Sequence, residues 1–164
     1  MTEVRPATPQ DADEVARVHV AVGLPRPDRP GVSRRPHPEA RARRYTFGQP
    51  GIRMPVTLVA VRDATISGFV TFGLCRDEDS TGEVMAIYVD PSQLGTGVGR
   101  LLIEAARERL RGLGVSGAVL WVLEANTLAR RFYERDGWAP DGARRTAVYG
   151  DGPVVEVRYR RTPV

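Results

Sequence analysis

The sequence predicts a mixed α/β domain spanning residues 1–164. Three observations carry that expectation. β-rich runs and helical periodicities follow one another in the order β-α-α-β-β-β-α-β-α-β-β. A glycine-rich stretch, Gly95 to Gly99, joins a strand to an amphipathic helix. Hydrophobic residues make up 41% of the chain, enough for one core and too many for a disordered polymer.

Glu3 to Ala7 reads as a short first strand. Thr8-Pro9-Gln10-Asp11 marks a helix start, with Thr8 as N-cap, Pro9 at the first helical position and Asp11 at the third. Val15, Val18 and Val22 follow at helical spacing. Pro and Arg dominate Gly23 to Pro38, which reads as loop; Glu39 to Phe47 reads as a short helix, and Gly48 to Pro55 as loop again. Val56 to Arg62 and Ile66 to Leu74 are strands joined at Asp63-Ala64-Thr65. After an acidic turn, Glu83 to Asp90 is a strand ended by Pro91. Gly97 to Leu113 is a helix whose apolar face is read as Val98, Leu101, Leu102, Ala105, Leu110 and Leu113, with Gly114 as its stop. Ala118 to Leu123 is continuously apolar, as in a central strand covered on both faces, so Trp121 is assigned to the core with Trp138. Asn126 to Asp136 is a helix with Gly137 beyond it, and strands near Ala139 to Tyr149 and Val154 to Arg161 complete the order.

All 24 basic residues are arginine and the net charge is +4. That balance suits nucleic acid, a membrane surface or a polyanionic small molecule, and does not choose among them. No apolar run approaches the ~18 residues of a membrane helix. The N-terminus lacks the basic and apolar regions of a secretory signal. Cys75 is the single cysteine, and no Cys/His cluster has metal-ligand spacing. The expectation is a cytoplasmic protein without a metal.

The stretch Gln93-Leu94-Gly95-Thr96-Gly97-Val98-Gly99-Arg100 lies where a helix begins. A helix start presents unpaired N–H groups and a positive dipole end, both suited to phosphate. Glycines let an anion approach the backbone. The G-x-G-x-G spacing differs from the G-x-G-x-x-G dinucleotide fingerprint, and a chain without lysine excludes the Walker motif. The residues point to phosphate binding of another kind; the plain alternative is a connecting loop.

Ala86-Ile87-Tyr88-Val89-Asp90-Pro91 followed by Gly95-Thr96-Gly97-Val98-Gly99-Arg100-Leu101-Leu102 resembles the acetyl-CoA motif of the GNAT acetyltransferase superfamily. Further on, Asn126-Thr127-Leu128-Ala129-Arg130-Arg131-Phe132-Tyr133-Glu134-Arg135-Asp136-Gly137-Trp138 resembles that family's second motif, N-x-x-A-x-x-F-Y-E-x-x-G-F. The start, Val4 to Thr8, looks like its first strand, and the likeness is weak only between Gly23 and Pro55. The resemblance implies a GNAT-type α/β fold, a mixed, mostly antiparallel sheet of six to seven strands flanked by about four helices. It also implies an acetyl-CoA-dependent N-acetyltransferase.

By that resemblance the Ile87 N–H stabilises the oxyanion of a tetrahedral intermediate. Backbone groups of Tyr88 and Val89 pair with the pantetheine arm, and Leu94, Gly95, Thr96, Gly97, Val98, Gly99 and Arg100 form the pyrophosphate loop. Leu94 departs from the family, which usually has Arg or Gln there, while Gln93 lies one position earlier. Weaker rather than lost binding follows, with Arg100 as the candidate to compensate. Tyr133 matches a tyrosine that donates to the leaving sulfur, with Phe132 beside it, and Asn126 matches a pantetheine contact. The residues alone read Tyr133 and Phe132 as packed aromatics and Asn126 as a helix cap. Glu83 matches the position of the base in several members; alone, it reads as a strand-end carboxylate. A lysine-like amine has a pKa of about 10.4, so holding it neutral at pH 7 costs ~4.6 kcal/mol, and the reaction needs a base or a water route. The adjoining Asp77, Glu78 and Asp79 read as an attraction for a cationic substrate or as a solvated acidic turn.

Two other classes of function compete. An acyl-CoA-binding sensor keeps the fold without turnover; intact Tyr133 and Glu83 argue against it and Leu94 for it. A nucleic-acid-binding protein would use Arg34 to Arg44, but that stretch has no interleaved aromatic platform and reads as a solvated face, while the resemblance implies that this region caps the acceptor site. Cys75 has no basic neighbour in sequence, and His19 and His37 lie in unrelated segments, so it is read as a buried small hydrophobe. The expected partner is a small-molecule or peptide amine, with no nucleic acid or membrane, and a homodimer is left open.

Overall fold

A single sheet with strand order β1-β2-β3-β4-β5-β7-β6 forms the centre of the computed structural model, which describes residues 1–23, 55–149 and 152–164. The strands are β1 (Glu3–Pro6), β2 (Val56–Arg62), β3 (Thr65–Leu74), β4 (Thr81–Val89), β5 (Gly117–Leu123), β6 (Ala139–Tyr149) and β7 (Gly152–Arg161). Three α-helices accompany them among the described residues: α1 (Ala12–Gly23), α2 (Val98–Gly112) and α3 (Thr127–Arg135). The helix expected at Glu39 to Phe47, and the arginine stretch Arg34 to Arg44, lie outside the described residues.

Neighbouring strands are antiparallel throughout except β4 and β5, which run parallel. The sequence order requires this: α2 carries the chain from the end of β4 back to the start of β5, a βαβ crossover. The β2–β3 hairpin is tight because Asp63 and Ala64 both adopt positive φ, 50° and 61°, and Arg62 then pairs with Thr65.

Each face of the sheet has its own core. On one, α2 buries Val98, Leu102, Ile103, Ala106 and Leu110 against Leu58, Val70, Val84 and Leu120. Each such side chain contributes about 1.5–3 kcal/mol by leaving water. The buried stripe of α2 is rotated from the one read in the sequence: Ile103 and Ala106 point inward, whereas Leu101 and Leu113 are exposed. On the other face, α1 lays Val15 and Val18 against Val59, Ile66 and Phe69. The start of α1 is preceded by a 3-10 turn, Pro9–Asp11, in which the Asp11 carboxylate accepts from the Thr8 N–H at 2.7 Å. No helix among the described residues is long and apolar enough to cross a membrane.

Candidate active site

The parallel pairing of β4 and β5 covers only Thr81↔Gly117 to Val84↔Leu120. Beyond it β4 runs on to Val89, paired among the described residues with β3 alone. The separation begins at a bulge: Val84 opposes Phe72 and Ala86 opposes Thr71, leaving Met85 as the extra residue. Past the bulge the register fixes which backbone groups face the opening. The Asp90 N–H donates to the Ser67 carbonyl at 2.8 Å, so Asp90, Tyr88 and Ala86 turn their backbone groups toward β3. Alternation then turns the N–H groups of Ile87 and Val89 toward the gap that β5 has left. Of the two residues expected to pair with a pantetheine arm, Val89 presents its backbone there. Tyr88 does not; its ring stacks on His19 at 4.5 Å and packs against Phe69 at 5.3 Å.

The glycine stretch begins directly after β4. Asp90 Oδ1 accepts from the N–H and hydroxyl of Ser92 at 2.9 and 2.7 Å, closing a 3-10 turn over Pro91–Gln93. Arg17 of α1 ties the same carboxylate from its other oxygen at 2.8 Å and also holds the Ile66 carbonyl at 2.9 Å. Thr96 folds its hydroxyl onto the Gln93 carbonyl, at 2.6 Å. Gly97 is the N-cap of α2 at φ +89° and makes no side-chain cap bond. Among the described residues a Cβ on Gly97 would meet nothing within 4 Å, so glycine is needed there for its left-handed backbone. Gly99 is glycine for a different reason: a Cβ would lie 3.2 Å from the Phe132 ring. Its absence lets α2 and α3 approach.

Side chains of this loop divide in purpose. Val98 is buried in the core and Leu94 is exposed. Arg100 is exposed and pairs along its own helix with Glu104 at 2.8 Å, one turn away. What the main chain of the stretch offers an anion is the set of unpaired N–H groups at the start of α2.

α3 brings the second motif to the same opening. Asn126 Oδ1 caps it by accepting from the Ala129 N–H at 3.2 Å, so the carbonyl end of that side chain serves the helix. Phe132 and Tyr133 meet edge to face at 5.3 Å. Tyr133 is 8% exposed, and burial first, with Tyr88 adding to it, pushes its phenol above the ordinary value. The Tyr159 hydroxyl donates to Glu134 at 2.8 Å and accepts from Arg130 at 3.0 Å, and Arg130 also holds the Glu124 carbonyl at 2.9 Å. This network pins α3 to β7 around Tyr133.

Glu83 stands opposite Gly73 on β3 and Val119 on β5, two residues inside β4 rather than at its start. Burial pushes its carboxyl above the usual range and Asp77 adds to the rise, while Arg145, Arg76 and the Cys75 thiol favour the charged form. Cys75 is thus partly exposed and beside Glu83, not a buried hydrophobe. Glu78 is taken up elsewhere: it accepts from both terminal nitrogens of Arg160 at 2.9 and 2.8 Å, which holds its carboxyl below the usual range. Trp138 is core, its indole N–H donating to Asp136 at 2.9 Å. Trp121 is not. Leu120 and Val122 enter the α2-side core, so Trp121 faces the other way, beneath the guanidinium of Arg145 at 4.2 Å and near that of Arg158 at 5.7 Å. Sequence spacing carries no sign of this, because Arg145 arrives through the β6–β7 register.

No group of three or more His, Cys, Asp or Glu residues is placed to hold a metal among the described residues. A sheet opened between two parallel strands, next to a glycine-capped helix start, is a frame for an extended ligand bearing phosphate. Known proteins share that frame. The model of the "Acetyltransferase (GNAT) family" matches residues 24–138. The chain is 31% identical over 134 residues to mycothiol acetyltransferase of Nocardia farcinica, covering 82% of this chain and 44% of that protein. It spans less than half the length of the curated relatives it matches. Its fold matches an acetyltransferase of the GNAT family from Desulfovibrio desulfuricans with a TM-score of 0.75, at 22% identity over 100% of both chains. It also matches an acetyltransferase from Salmonella typhimurium solved with its cofactor acetyl-CoA, with a TM-score of 0.72 at 19% identity, over 99% of this chain and 94% of that one. The chain belongs to the GNAT acetyltransferase family.

Proposed function

We propose that the chain is an acetyl-CoA-dependent N-acyltransferase that passes its acetyl group directly to an amine through a tetrahedral intermediate. The observation that carries this reading is the juxtaposition of an unpaired β4 edge, Ile87 to Val89, with the glycine-capped start of α2. The pyrophosphate of acetyl-CoA would lie on the N–H groups at the start of α2 and its pantetheine arm along β4. The Ile87 N–H would receive the oxyanion. The amine nitrogen bonds to the thioester carbon, the C–S bond breaks, and the sulfur departs as thiolate. The proton leaving nitrogen passes toward Glu83. Tyr133 donates to the departing sulfur. A free thiol has a pKa of about 8.5 and the Tyr133 phenol sits above its own ordinary ~10, so complete proton transfer is uphill and the hydroxyl acts as a hydrogen-bond donor.

The test is release of free thiol from acetyl-CoA across a panel of amines. Acyl-dependent thiol release with at least one amine supports the reading; binding of acetyl-CoA with no release on any amine would turn it into that of a sensor.

Glu83→Gln gives a pH-dependent defect. The raised carboxyl of Glu83 loses its charge, and with it its basicity, as pH falls through that raised value. Below that value wild type has lost its base too and the two profiles converge; the variant should lose most rate just above it, where Glu83 is charged and the amine still protonated, and recover part of it at high pH, where the amine deprotonates unaided. Parallel pH–rate profiles for variant and wild type would remove Glu83 as base.

A further inference from the structure

The face of the sheet that carries Glu83 also carries an arginine held in a fixed pose. Arg145 lies over the Trp121 ring at 4.2 Å, and its Nε donates to Glu156 Oε2 at 2.5 Å. Glu156 is a buried carboxylate, with 6% of its side chain exposed. A guanidinium fixed at its Nε and across its flat face has lost most of its rotamer freedom before any ligand arrives. What remains outward is the pair of terminal amino groups, which among the described residues make no hydrogen bond or ion pair. The Arg145 side chain is 45% exposed, and its charge is the largest electrostatic influence on Glu83. Its neighbours on this face are already satisfied: Arg158 by Asp141 at 2.7 Å and Arg160 by Glu78.

From this placement we infer that the amine acceptor carries a carboxylate close to its amino group, received by the terminal amino groups of Arg145 while the amine lies toward Glu83. The inference rests on the acyltransferase reading above and names the class of its second substrate: an α-amino acid or the like, with both charges in place. A planar fork matches a carboxylate through two parallel N–H···O bonds, which makes Arg145 a specificity-determining residue. Trp121 and Glu156 position it.

Matched acceptor pairs test this, each an α-amino acid or dipeptide and its C-terminal carboxamide, in the thiol-release assay. Wild type should favour the carboxylate member by at least about tenfold in kcat/KM, the scale of one charge-assisted hydrogen bond. Arg145→Met keeps an apolar stem over Trp121 and removes the charge, and should bring the two members to within about threefold. Carboxamides used as well as or better than acids by wild type would overturn the inference without recourse to any variant. A folded Arg145→Met that keeps the tenfold preference would also overturn it. Absence of thiol release on every acceptor, with acetyl-CoA still bound, would instead sink the acyltransferase reading and this one with it.

Discussion

Gly97→Asp is expected to weaken acetyl-CoA binding at least about 100-fold while the domain stays folded. Gly97 sits at φ +89°, and a Cβ added there meets none of the described residues within 4 Å, so the new side chain clashes with none of them. Aspartate tolerates the left-handed region at a cost of about 1 kcal/mol. Its charge at the start of α2 offsets roughly 0.3–1 kcal/mol of that through the helix dipole. The same charge would face the pyrophosphate. Two unit charges 4 Å apart at an effective dielectric of 20 repel by about 4 kcal/mol, and even half of that exceeds a tenfold loss per phosphate charge. Gly97→Asn has the same shape without the charge and should recover most of the affinity. Calorimetric titration with circular dichroism checks both variants, and unchanged affinity in a folded Gly97→Asp protein would remove the glycine stretch from the site.

Tyr133→Phe should lower kcat by about 10- to 100-fold and leave acetyl-CoA affinity within about threefold. One hydrogen bond to a developing charge is worth about 1.5–3 kcal/mol, and the hydroxyl has that role only while the sulfur departs. Phenylalanine fills the same buried space against Phe132 and Tyr159, at ring separations of 5.3 and 6.5 Å in the wild type, so packing is retained. Single-turnover kinetics separate the chemical step from product release. A variant within twofold of wild type would leave Tyr133 as a packing residue.

Local patterns in the chain are enough to place the elements of its described residues, and non-local contacts decide what the patterns leave open. Gly114 and Gly137 stand at φ +80° and +87°, just past helices whose ends the sequence marks with these glycines. The buried stripe of α2 differs from the expected one because Leu101 and Ile103 are both apolar, and only the sheet beneath selects Ile103. β4 begins two residues before the expected Glu83, because Thr81 and Gly82 pair with the start of β5, a partner distant in sequence. For the site, the glycine loop and the α3 motif are legible because each is a continuous stretch. Cys75 beside Glu83, Glu78 bound by Arg160, and Arg145 over Trp121 are not, since each joins strands through register and the reach of a long side chain. His19 stands far from the site in sequence, yet α1 stacks it on Tyr88.

If the open edge of β4 and the start of α2 together hold acetyl-CoA, the wild-type protein must bind it without any acceptor present. Isothermal titration with acetyl-CoA, paired with thermal melting, reads this out. Saturable binding is expected, with a melting temperature that climbs with ligand concentration, by about 2.7 kcal/mol of added stability at one hundred times Kd. NADH should produce no comparable shift. No heat of binding and an unmoved melting temperature at millimolar acetyl-CoA would contradict the assignment of this opening as the acetyl-CoA site.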